Sequence, residues 1–274
     1  SGGRYRDYIA WLQTRDRNAS EAHWREQLRG MGEPTRLADI LPANGEDIGC
    51  EDYASALDRT ATAGLIDFAK REHITVNTLV QAAWALLLNH YTGQSAVAFG
   101  VTIAGRPDDL PGADRLLGLF INTLPVVAMI DPRQETAAWL RALQTQNLSM
   151  REHGHTPLVE IQRWGRQSGQ GLFDSILVFE NYPMDEALQQ FASGDLAFSA
   201  VKSREVTNYA LTVSVTQADT LCLHYGYAGK DFSKADVSRI AAQVNRLLLK
   251  MTRSPRRILG DIDLLSGDEK AQLR

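Results

Sequence analysis

The chain has 274 residues, 44% of them hydrophobic, and its formal net charge is −4 at pH 7. This composition is sufficient for one large packed domain or two small ones, and it excludes the strong positive field that binds nucleic acid or an anionic membrane. The longest apolar stretch of note, residues 79–88, is shorter than the about 18 residues of a membrane span, and no charged-then-apolar leader opens the sequence. We therefore expect a cytoplasmic protein with no nucleic-acid and no membrane partner.

The first half of the chain is mainly helical by its hydrophobic periodicity. Taken in order, it is predicted to contain helices over 19–29, 61–73 and 75–91 and strands over 50–58 and 95–104. Ser20 is the predicted cap of the first helix and Thr75 that of the third. Residues 31–48 are rich in Pro, Gly and acidic residues, which is typical of a surface connection. Because residues 75–91 are apolar nearly all round, we expect this helix to be central and buried.

The second half changes from helices to strands. After a polar loop over 105–115, it is predicted to contain an apolar run over 119–130, helices over 135–151, 157–164 and 233–251, strands over 174–180, 195–202, 208–216 and 220–228, and a linker from 254. In the 135–151 helix we expect Trp139, Leu140, Leu143 and Leu148 to face inward. The tight connection at Ala218-Asp219 predicts a hairpin. Strands and helices in this order predict an α/β fold of the α+β type with a mixed sheet, and they exclude a Rossmann fold or a barrel of alternating strands and helices.

Metal ligands and the usual catalytic motifs are scarce. The sequence has no GxGxxG, GxxxxGK[ST], GxSxG or HExxH motif. Its tightest histidine cluster, His153-Gly154-His155, is interpreted as a helix C-terminus rather than as a metal site. The two cysteines, Cys50 and Cys222, lie outside any CxxC pair and are expected to be reduced, buried thiols. We predict no metal site.

Polar residues inside apolar segments are the remaining candidates. Asn122 and Thr123 interrupt an apolar run, and buried polar groups are costly unless they have partners. Two alternatives stay open, namely that Asn122 satisfies backbone groups, or that it lines a channel and orients a polar substrate group. Glu180 at a strand end is either a solvated residue or a carboxylate that orients an amine in a cleft. Asn208 and Tyr209, which precede a strand, are likewise either solvated residues or residues that face a cleft.

Several of these segments, in this order, resemble the motifs of condensation domains of non-ribosomal peptide synthetases. The segments are Tyr5-Arg6-Asp7-Tyr8-Ile9-Ala10-Trp11, Gly118-Leu119-Phe120-Ile121-Asn122-Thr123-Leu124-Pro125, residues 153–164, residues 173–183 and Thr207-Asn208-Tyr209-Ala210-Leu211. The likeness covers nearly the whole chain, and the motifs look most like those of domains that join L-configured substrates. The HHxxxDG motif of the family's N-terminal lobe is missing, because no two histidines are adjacent.

The resemblance implies one lobe of a chloramphenicol-acetyltransferase-like fold. Residues 1–258 are expected to be the C-terminal lobe, and residues 259–274 a linker toward a following adenylation domain. The implied partners are the N-terminal lobe of the same domain, peptidyl carrier domains and the adenylation domain. No cofactor is expected to bind directly, since the substrates are thioesters on the phosphopantetheine arms of the carrier domains.

The resemblance further implies a tunnel between two lobes in which an acceptor amine attacks a donor thioester. The residues expected near this tunnel are Gly118, Phe120, Asn122, Thr123, Glu180, Asn208 and Tyr209, with Gly118 allowing close backbone approach. No catalytic residue is expected in this chain, which is therefore predicted to be inactive alone. The alternatives are a non-catalytic module that docks carrier proteins, or an epimerisation or ester-forming domain of the same fold.

Overall fold

The computed structural model describes residues 5–41, 49–107, 109–165, 171–180 and 207–264. In this part of the chain, six strands form one mixed β-sheet in the order β1-β6-β5-β4-β2-β3. The strands are β1 (Cys50–Leu57), β2 (Ala96–Ala104), β3 (Ile121–Met129), β4 (Ser175–Glu180), β5 (Leu211–Gln217) and β6 (Leu221–Ala228). Strand β4 is parallel to both β5 and β2, whereas the other ladders are antiparallel.

Helices account for most of the remaining described residues. They are α1 (Tyr5–Gln13), α2 (Arg17–Gln27), α3 (Arg59–Arg71), α4 (Val76–Thr92), α5 (Thr136–Glu152), α6 (Leu158–Trp164) and α7 (Lys234–Arg253). None of the helices in the described ranges has the length and apolar character needed to span a bilayer. The predicted α/β fold, a mixed sheet flanked by helices, is confirmed.

Helix α4 occupies the centre of the fold, as its composition predicts. Every residue from Thr78 to Leu88 is buried. Its N-terminus is capped by Thr75, whose hydroxyl accepts a hydrogen bond from the Thr78 backbone N–H, and Gly93 ends it in the left-handed conformation with φ 69°. The cap and the end of this helix are therefore determined locally, and its burial by its apolar side chains.

Helices α3, α4 and α7 pack on one face of the sheet, which we term the helix face. The Trp84 indole of α4 donates to the Ser175 hydroxyl of β4 at 3.2 Å, and Ser238 of α7 donates to the Tyr53 hydroxyl of β1 at 3.2 Å. On β6, the residues of this face, such as Tyr225, are buried. Burial of these large side chains, at about 25 cal/mol per Å² of apolar surface, makes this layer the main hydrophobic core.

The opposite side of the sheet, which we term the open face, carries small and polar residues. Residues directly paired across a ladder point to the same side of a sheet. The ladders therefore place on this face Gly100, Thr102, Thr123, Ile176, Val178, Glu180, Ser214, Thr216, Cys222 and His224. Most of the polar members are partly or fully exposed to solvent. The part of this face that carries the polar residues is thus open to solvent or to a partner, whereas Pro125 and Val127 on the same face are buried.

The ladder between the parallel strands β2 and β4 is unusually short. It contains only the pairs Gly100↔Ile176 and Val101↔Leu177. Beyond them, Thr102–Ala104 of β2 pair with β3, and Val178–Glu180 of β4 pair with β5. We term the gap between these two three-residue segments the β2–β4 opening.

Two predictions about individual side chains are wrong. Ser20 does not cap a helix, because α2 starts earlier and its cap is Asp16, which accepts from the Asn18 and Ala19 backbone N–H groups. Leu148 does not face inward but is 54% exposed. Asn147 takes the inward position instead and donates to Gln81 of α4 at 2.8 Å.

Other expectations hold only in part. The helix α1 is not predicted by periodicity, and the predicted surface connection 31–48 contains the buried residues Thr35, Leu37 and Leu41. Neither cysteine is buried as predicted: both lie on the open face, where Cys50 of the edge strand β1 is exposed and Cys222 of β6 is partly exposed. The predicted strand 195–202 falls outside the described residues.

The start of the predicted C-terminal linker packs against the fold. Leu259 and Leu264 are buried in the main core. The Leu259 backbone N–H donates to Gln134 O at 2.9 Å, and Gly260 donates to Pro132 O at 2.8 Å. Residues 259–264 therefore contribute to this domain's stability, and the predicted role of 259–274 as a connection to an adenylation domain stays a prediction.

We expect Gly100→Ala to destabilise the protein by about 1–3 kcal/mol. A Cβ at this position would lie 2.6 Å from both Ile176 Cγ2 and Phe173 Cε2. The matched control is Gly64→Ala on the exposed side of α3, where nothing lies within 4 Å and where alanine should stabilise by about 0.5–1 kcal/mol. Urea denaturation of both variants measures the difference, and equal stability of the two would contradict the tight contact at the start of the opening.

Candidate functional site

Helix α1 packs against the segment that begins with Gly118. The Tyr8 and Phe120 rings meet edge to face with centroids 4.8 Å apart, and the Tyr5 hydroxyl donates to Leu119 O at 3.2 Å. A Cβ on Gly118 would lie 2.2 Å from Tyr5 Cδ2. Gly118 is therefore required for contact with α1, and Phe120 is the apolar anchor of that contact.

Arg106 fixes the loop that connects β2 to β3. Its Nη1 donates to Ala113 O at 2.6 Å and to Leu116 O at 3.0 Å, while its guanidinium lies 4.6 Å from the centroid of the Phe120 ring. Three backbone and aromatic partners for one planar cation hold the loop in a single arrangement. The sequence analysis includes this arginine only as part of the polar loop over 105–115.

Trp11 joins α1 to the same loop. Its indole N–H donates to Asp109 Oδ1 at 2.9 Å, and Arg15 donates to Asp109 Oδ2 at 3.0 Å while stacking over the Trp11 ring at 4.2 Å. The Trp11 hydrogen bond, with Arg15 beside it, lowers the pKa of Asp109 below its ordinary value. The carboxylate is thus held in its charged form as a link between helix and loop.

Asn122 fastens the start of β3 to the connection between α5 and α6. Its amide nitrogen donates to Gly154 O and to Thr156 O, both at 2.8 Å. Both amide hydrogens are therefore used on backbone carbonyls, which is the structural role among the two alternatives left open by the sequence. Its side chain points away from Thr123, which lies on the open face.

His153 and His155 lie in this same connection. Among the described residues, no group of three or more His, Cys, Asp or Glu side chains is arranged to hold a metal ion. Instead, both imidazoles contact the Ser20 hydroxyl of α2, at 3.2 and 3.3 Å. The histidine pair of the sequence is therefore part of a helix–loop contact.

Thr123 and Glu180 occupy the two sides of the β2–β4 opening. Thr123 is the cross-strand partner of Thr102, and Glu180 is the partner of Thr216 on the next strand. These side chains have no hydrogen bond to any residue in the described ranges, and each is at least partly exposed. Hydroxyl and carboxylate groups without protein partners on a sheet face are available to a ligand.

Tyr209 lies at the inner end of the opening, which is the end at which β2 and β4 still pair. Its ring stacks on Phe173 with centroids 5.7 Å apart, and Phe173 is the residue that approaches Gly100. Burial raises the pKa of the Tyr209 hydroxyl above its ordinary value, so that the group stays a neutral hydrogen-bond donor. Asn208 lies beside it on the surface and is exposed.

The sequence-predicted residues thus fall into two groups. Gly118, Phe120 and Asn122 hold α1 and two loops together, whereas Thr123, Glu180 and Tyr209 lie around the β2–β4 opening. Sequence analysis missed Thr102, although a threonine in an apolar strand is the same signal that singled out Thr123.

Asp174 is a second residue that the sequence analysis did not single out. Its Oδ2 accepts a hydrogen bond from the Ala38 backbone N–H at 2.8 Å, while burial raises the pKa of this carboxyl above its ordinary value. The contact ties the segment around Leu37 to the residue just before β4. This hydrogen bond therefore fixes the chain just before β4, next to the end of the opening at which β2 and β4 still pair.

Comparison with protein families and curated proteins gives one consistent result. The family model described as "Condensation domain" matches residues 2–274. A linear gramicidin synthase polypeptide of Brevibacillus parabrevis is 40% identical over 270 residues, which cover 97% of this chain and 4% of the relative. Chondramide synthase cmdD of Chondromyces crocatus is 38% identical over 273 residues, covering 98% of this chain and 7% of the relative. The chain thus spans a small part of the length of these relatives.

Solved structures share the fold at low sequence identity. The first condensation domain of the CDA synthetase has a TM-score of 0.74 at 16% identity, covering 94% of this chain and 56% of that chain. A four-domain nonribosomal peptide synthetase, holo-AB3403 bound to AMP and glycine, has a TM-score of 0.78 at 17% identity, covering 94% and 21%. The X-domain from teicoplanin biosynthesis has a TM-score of 0.74 at 21% identity, covering 94% and 61%.

We expect Asn122→Asp to lower the free energy of unfolding by about 2 kcal/mol, because a carboxylate oxygen would face the Gly154 and Thr156 carbonyls. The matched control is Thr123→Val, which keeps the branched shape and should stay within about 0.5 kcal/mol of the wild type. Denaturant midpoints of the two neighbouring variants give the comparison. A tolerated Asn122→Asp would show that the two carbonyls do not depend on the amide.

Proposed function

The chain belongs to the condensation-domain family, whose members in peptide synthetases catalyse peptide-bond formation, and from this premise we propose that it forms one wall of an amide-forming site. The observation that carries the proposal is the β2–β4 opening. Its two sides bring Thr102, Thr123 and Glu180 onto one face of the sheet without partners among the described residues.

We further propose that the chain is the C-terminal lobe of a two-lobed domain. Its counterpart in the CDA synthetase domain accounts for 56% of that chain. The described residues form one sheet, and the sequence contains no adjacent histidine pair and hence no HHxxxDG motif. In this proposal residues 1–258 are the lobe, and 259–274 lead toward an adenylation domain.

An exposed apolar strip supports contact with a second lobe. It consists of Leu117, Leu119 and Ile121, which are 92%, 73% and 62% exposed. Tyr5 and Ile9 of α1 are further exposed hydrophobic residues. Contiguous apolar surface of this kind is typical of a protein interface, and the N-terminal lobe of the same domain is the partner that we propose for it.

The open face suits the arm that carries the substrates. A phosphopantetheine arm is an extended chain with amide groups, and when bound it presents the thioester carbonyl that the amine attacks. Thr102 and Thr123 are placed to exchange hydrogen bonds with such amides, and Tyr209 is a neutral donor at the inner end. Glu180 accepts hydrogen bonds only and is therefore suited to orient an amine N–H.

The proposed reaction needs orientation more than it needs acids and bases. The acceptor nitrogen bonds to the donor carbonyl carbon and loses a proton, while the carbon–sulfur bond breaks and the sulfur leaves as the protonated thiol of the donor's phosphopantetheine arm. Holding the two thioesters in attack geometry lowers a barrier by roughly 7–11 kcal/mol. We assign that positioning to the open face, and we assign the removal of the proton to the N-terminal lobe.

The partners and the location follow from the same proposal. Peptidyl carrier domains would deliver both substrates, an adenylation domain would follow in the chain, and the complete enzyme would act in the cytoplasm. Substrates of L configuration are proposed because the motifs look most like those of domains that join L-configured substrates.

A non-catalytic docking module is the second candidate. The observation in its favour is the likeness to the teicoplanin X-domain, which is described in a complex with OxyB. An epimerisation or ester-forming domain shares the same fold and differs from an amide-forming domain in the reaction that it catalyses.

We expect the isolated chain to form no amide from carrier-bound substrates, and we expect activity when the chain is co-expressed with the preceding lobe as a complex. Product formation by mass spectrometry is the measurement. Turnover by the isolated chain would contradict the lobe proposal, and tight carrier binding without turnover by the complex would favour the docking module.

In the complete domain, Thr102→Val combined with Thr123→Val should lower kcat/KM about tenfold, because two hydrogen bonds of roughly 0.5–1.5 kcal/mol each are lost. The matched control is Thr60→Val, an exposed residue of α3 remote from the open face. Unchanged kinetics in the double variant, with the control also unchanged, would contradict the placement of substrate on the open face.

A further inference from the structure

Three of the six histidines of the chain form one cluster. The His23 and His153 rings stack with centroids 4.2 Å apart, and the Ser20 hydroxyl lies 3.2 Å from His153 Nδ1 and 3.3 Å from His155 Nε2. Ser20 and His23 belong to α2, whereas the other two belong to the connection between α5 and α6. The cluster therefore joins two elements that are remote in sequence.

The hydrogen bonds of the cluster are all satisfied when the imidazoles are neutral. The Ser20 hydroxyl has one proton and lies between one imidazole nitrogen of His153 and one of His155, so with both rings neutral it donates to one nitrogen and accepts from the other. A proton added to the accepting nitrogen would remove the partner of the Ser20 hydroxyl proton, at a serine that is 3% exposed.

Protonation of His23 meets two further obstacles. Its Nε2 is buried and has no hydrogen-bond partner among the described residues. A charge on His23 would also face the stacked His153 ring at 4.2 Å. A positive charge on His23 is thus disfavoured while α2 lies against the connection.

The cluster supports the residues that hold the site. The Gly154 and Thr156 carbonyls of this connection receive the Asn122 amide, and the His155 ring meets Trp11 of α1 edge to face at 5.8 Å. Separation of α2 from the connection would therefore loosen the attachments of both β3 and α1.

The charged groups around the cluster are few. Glu152 favours a charge on His153, Asp109 favours one on His155, and Arg15 opposes it. On the outside of the same contact, Arg17 of α2 pairs with Glu160 of α6 at 3.1 Å, and Arg25 donates to Trp164 O at 3.2 Å. The Arg17–Glu160 pair is largely exposed and therefore weak, so among the described residues the imidazole cluster and the part-buried Arg25 hydrogen bond are the stronger polar links of α2 to residues 153–164.

We propose that His23, His153, His155 and Ser20 form a proton-sensitive latch, which joins α2 to the α5–α6 connection while neutral and releases it when a proton is taken up. The latch adds a conformational control to the fold, and it does not depend on the function proposed above.

The direction of the pH effect follows from the burial of the cluster. Burial, with the His153 ring beside it, lowers the pKa of His23 from 6.5 to about 4, and burial also lowers the pKa of His153 and of His155. The closed state therefore binds fewer protons than the open state between pH 6.5 and about 4. Stability of the contact is complete above pH 6.5 and is lost as the pH falls through this window.

The test is hydrogen exchange of the full chain at pH 7.5 and pH 5.0, corrected for intrinsic exchange rates. We expect protection in 17–27 and 153–164 to fall about tenfold more than in α7. The variant His23→Phe keeps the ring stack and loses no hydrogen bond, and it should reduce this change to about threefold or less.

The matched control replaces the three exposed histidines together, His73→Gln, His90→Gln and His224→Gln, and should behave like the wild type. An equal change in His23→Phe and the wild type would overturn the latch, as would a loss of protection spread evenly over the chain. Should His23→Phe fold poorly, NMR titration of the wild type decides the question. The latch requires that His23, His153 and His155 titrate below pH 6.5, and titration of all three near pH 6.5 would overturn it.

Discussion

The early end of the β2–β4 ladder is the constraint on which the candidate site depends. At Gly100 the two strands are as close as side chains permit, because Ile176 and the Phe173 ring fill the space that a Cβ would need. Beyond Val101 and Leu177, each strand pairs only with its other neighbour. A continuous ladder would have closed the sheet at this point. Because the ladder ends, polar side chains lie on two separate parts of the sheet, the arm formed by β2 and β3 and the arm formed by β4 and β5.

The arm formed by β2 and β3 is held by the motif segments. Asn122 ties it to the α5–α6 connection, and Phe120 ties it to α1 and Arg106. The polar residues of these motifs therefore act mainly on backbone groups and on one another. Because most of these motif side chains bond within the protein, they hold the loops and α1 in place, and few of them remain available to bind substrate.

Much of the fold is predictable from the sequence because the determinants are local. The cap at Thr75 and the apolar surface of 75–91 specify α4 without reference to the rest of the chain. Leu148 was misplaced because periodicity alone cannot foresee that Asn147 would find polar partners on α4. Helix α1 was missed as a helix because it is stabilised by Phe120, more than 100 residues away, and not by a regular apolar stripe.

The site was predictable only as a set of residues, not as a place. Thr123 and Glu180 share one face of the sheet through ladder register, and Tyr209 is placed by its stack on Phe173; a single sequence determines neither. The role of the open face in holding the substrate arm is tested most directly by cysteine labelling in the complete domain, with Cys50 and Cys222 replaced by serine and with Thr102→Cys as the reporter. A carrier domain bearing a loaded phosphopantetheine arm is expected to slow maleimide labelling of the reporter cysteine at least about tenfold, and the carrier without its arm is expected not to. Equal labelling in both cases would contradict this role of the open face.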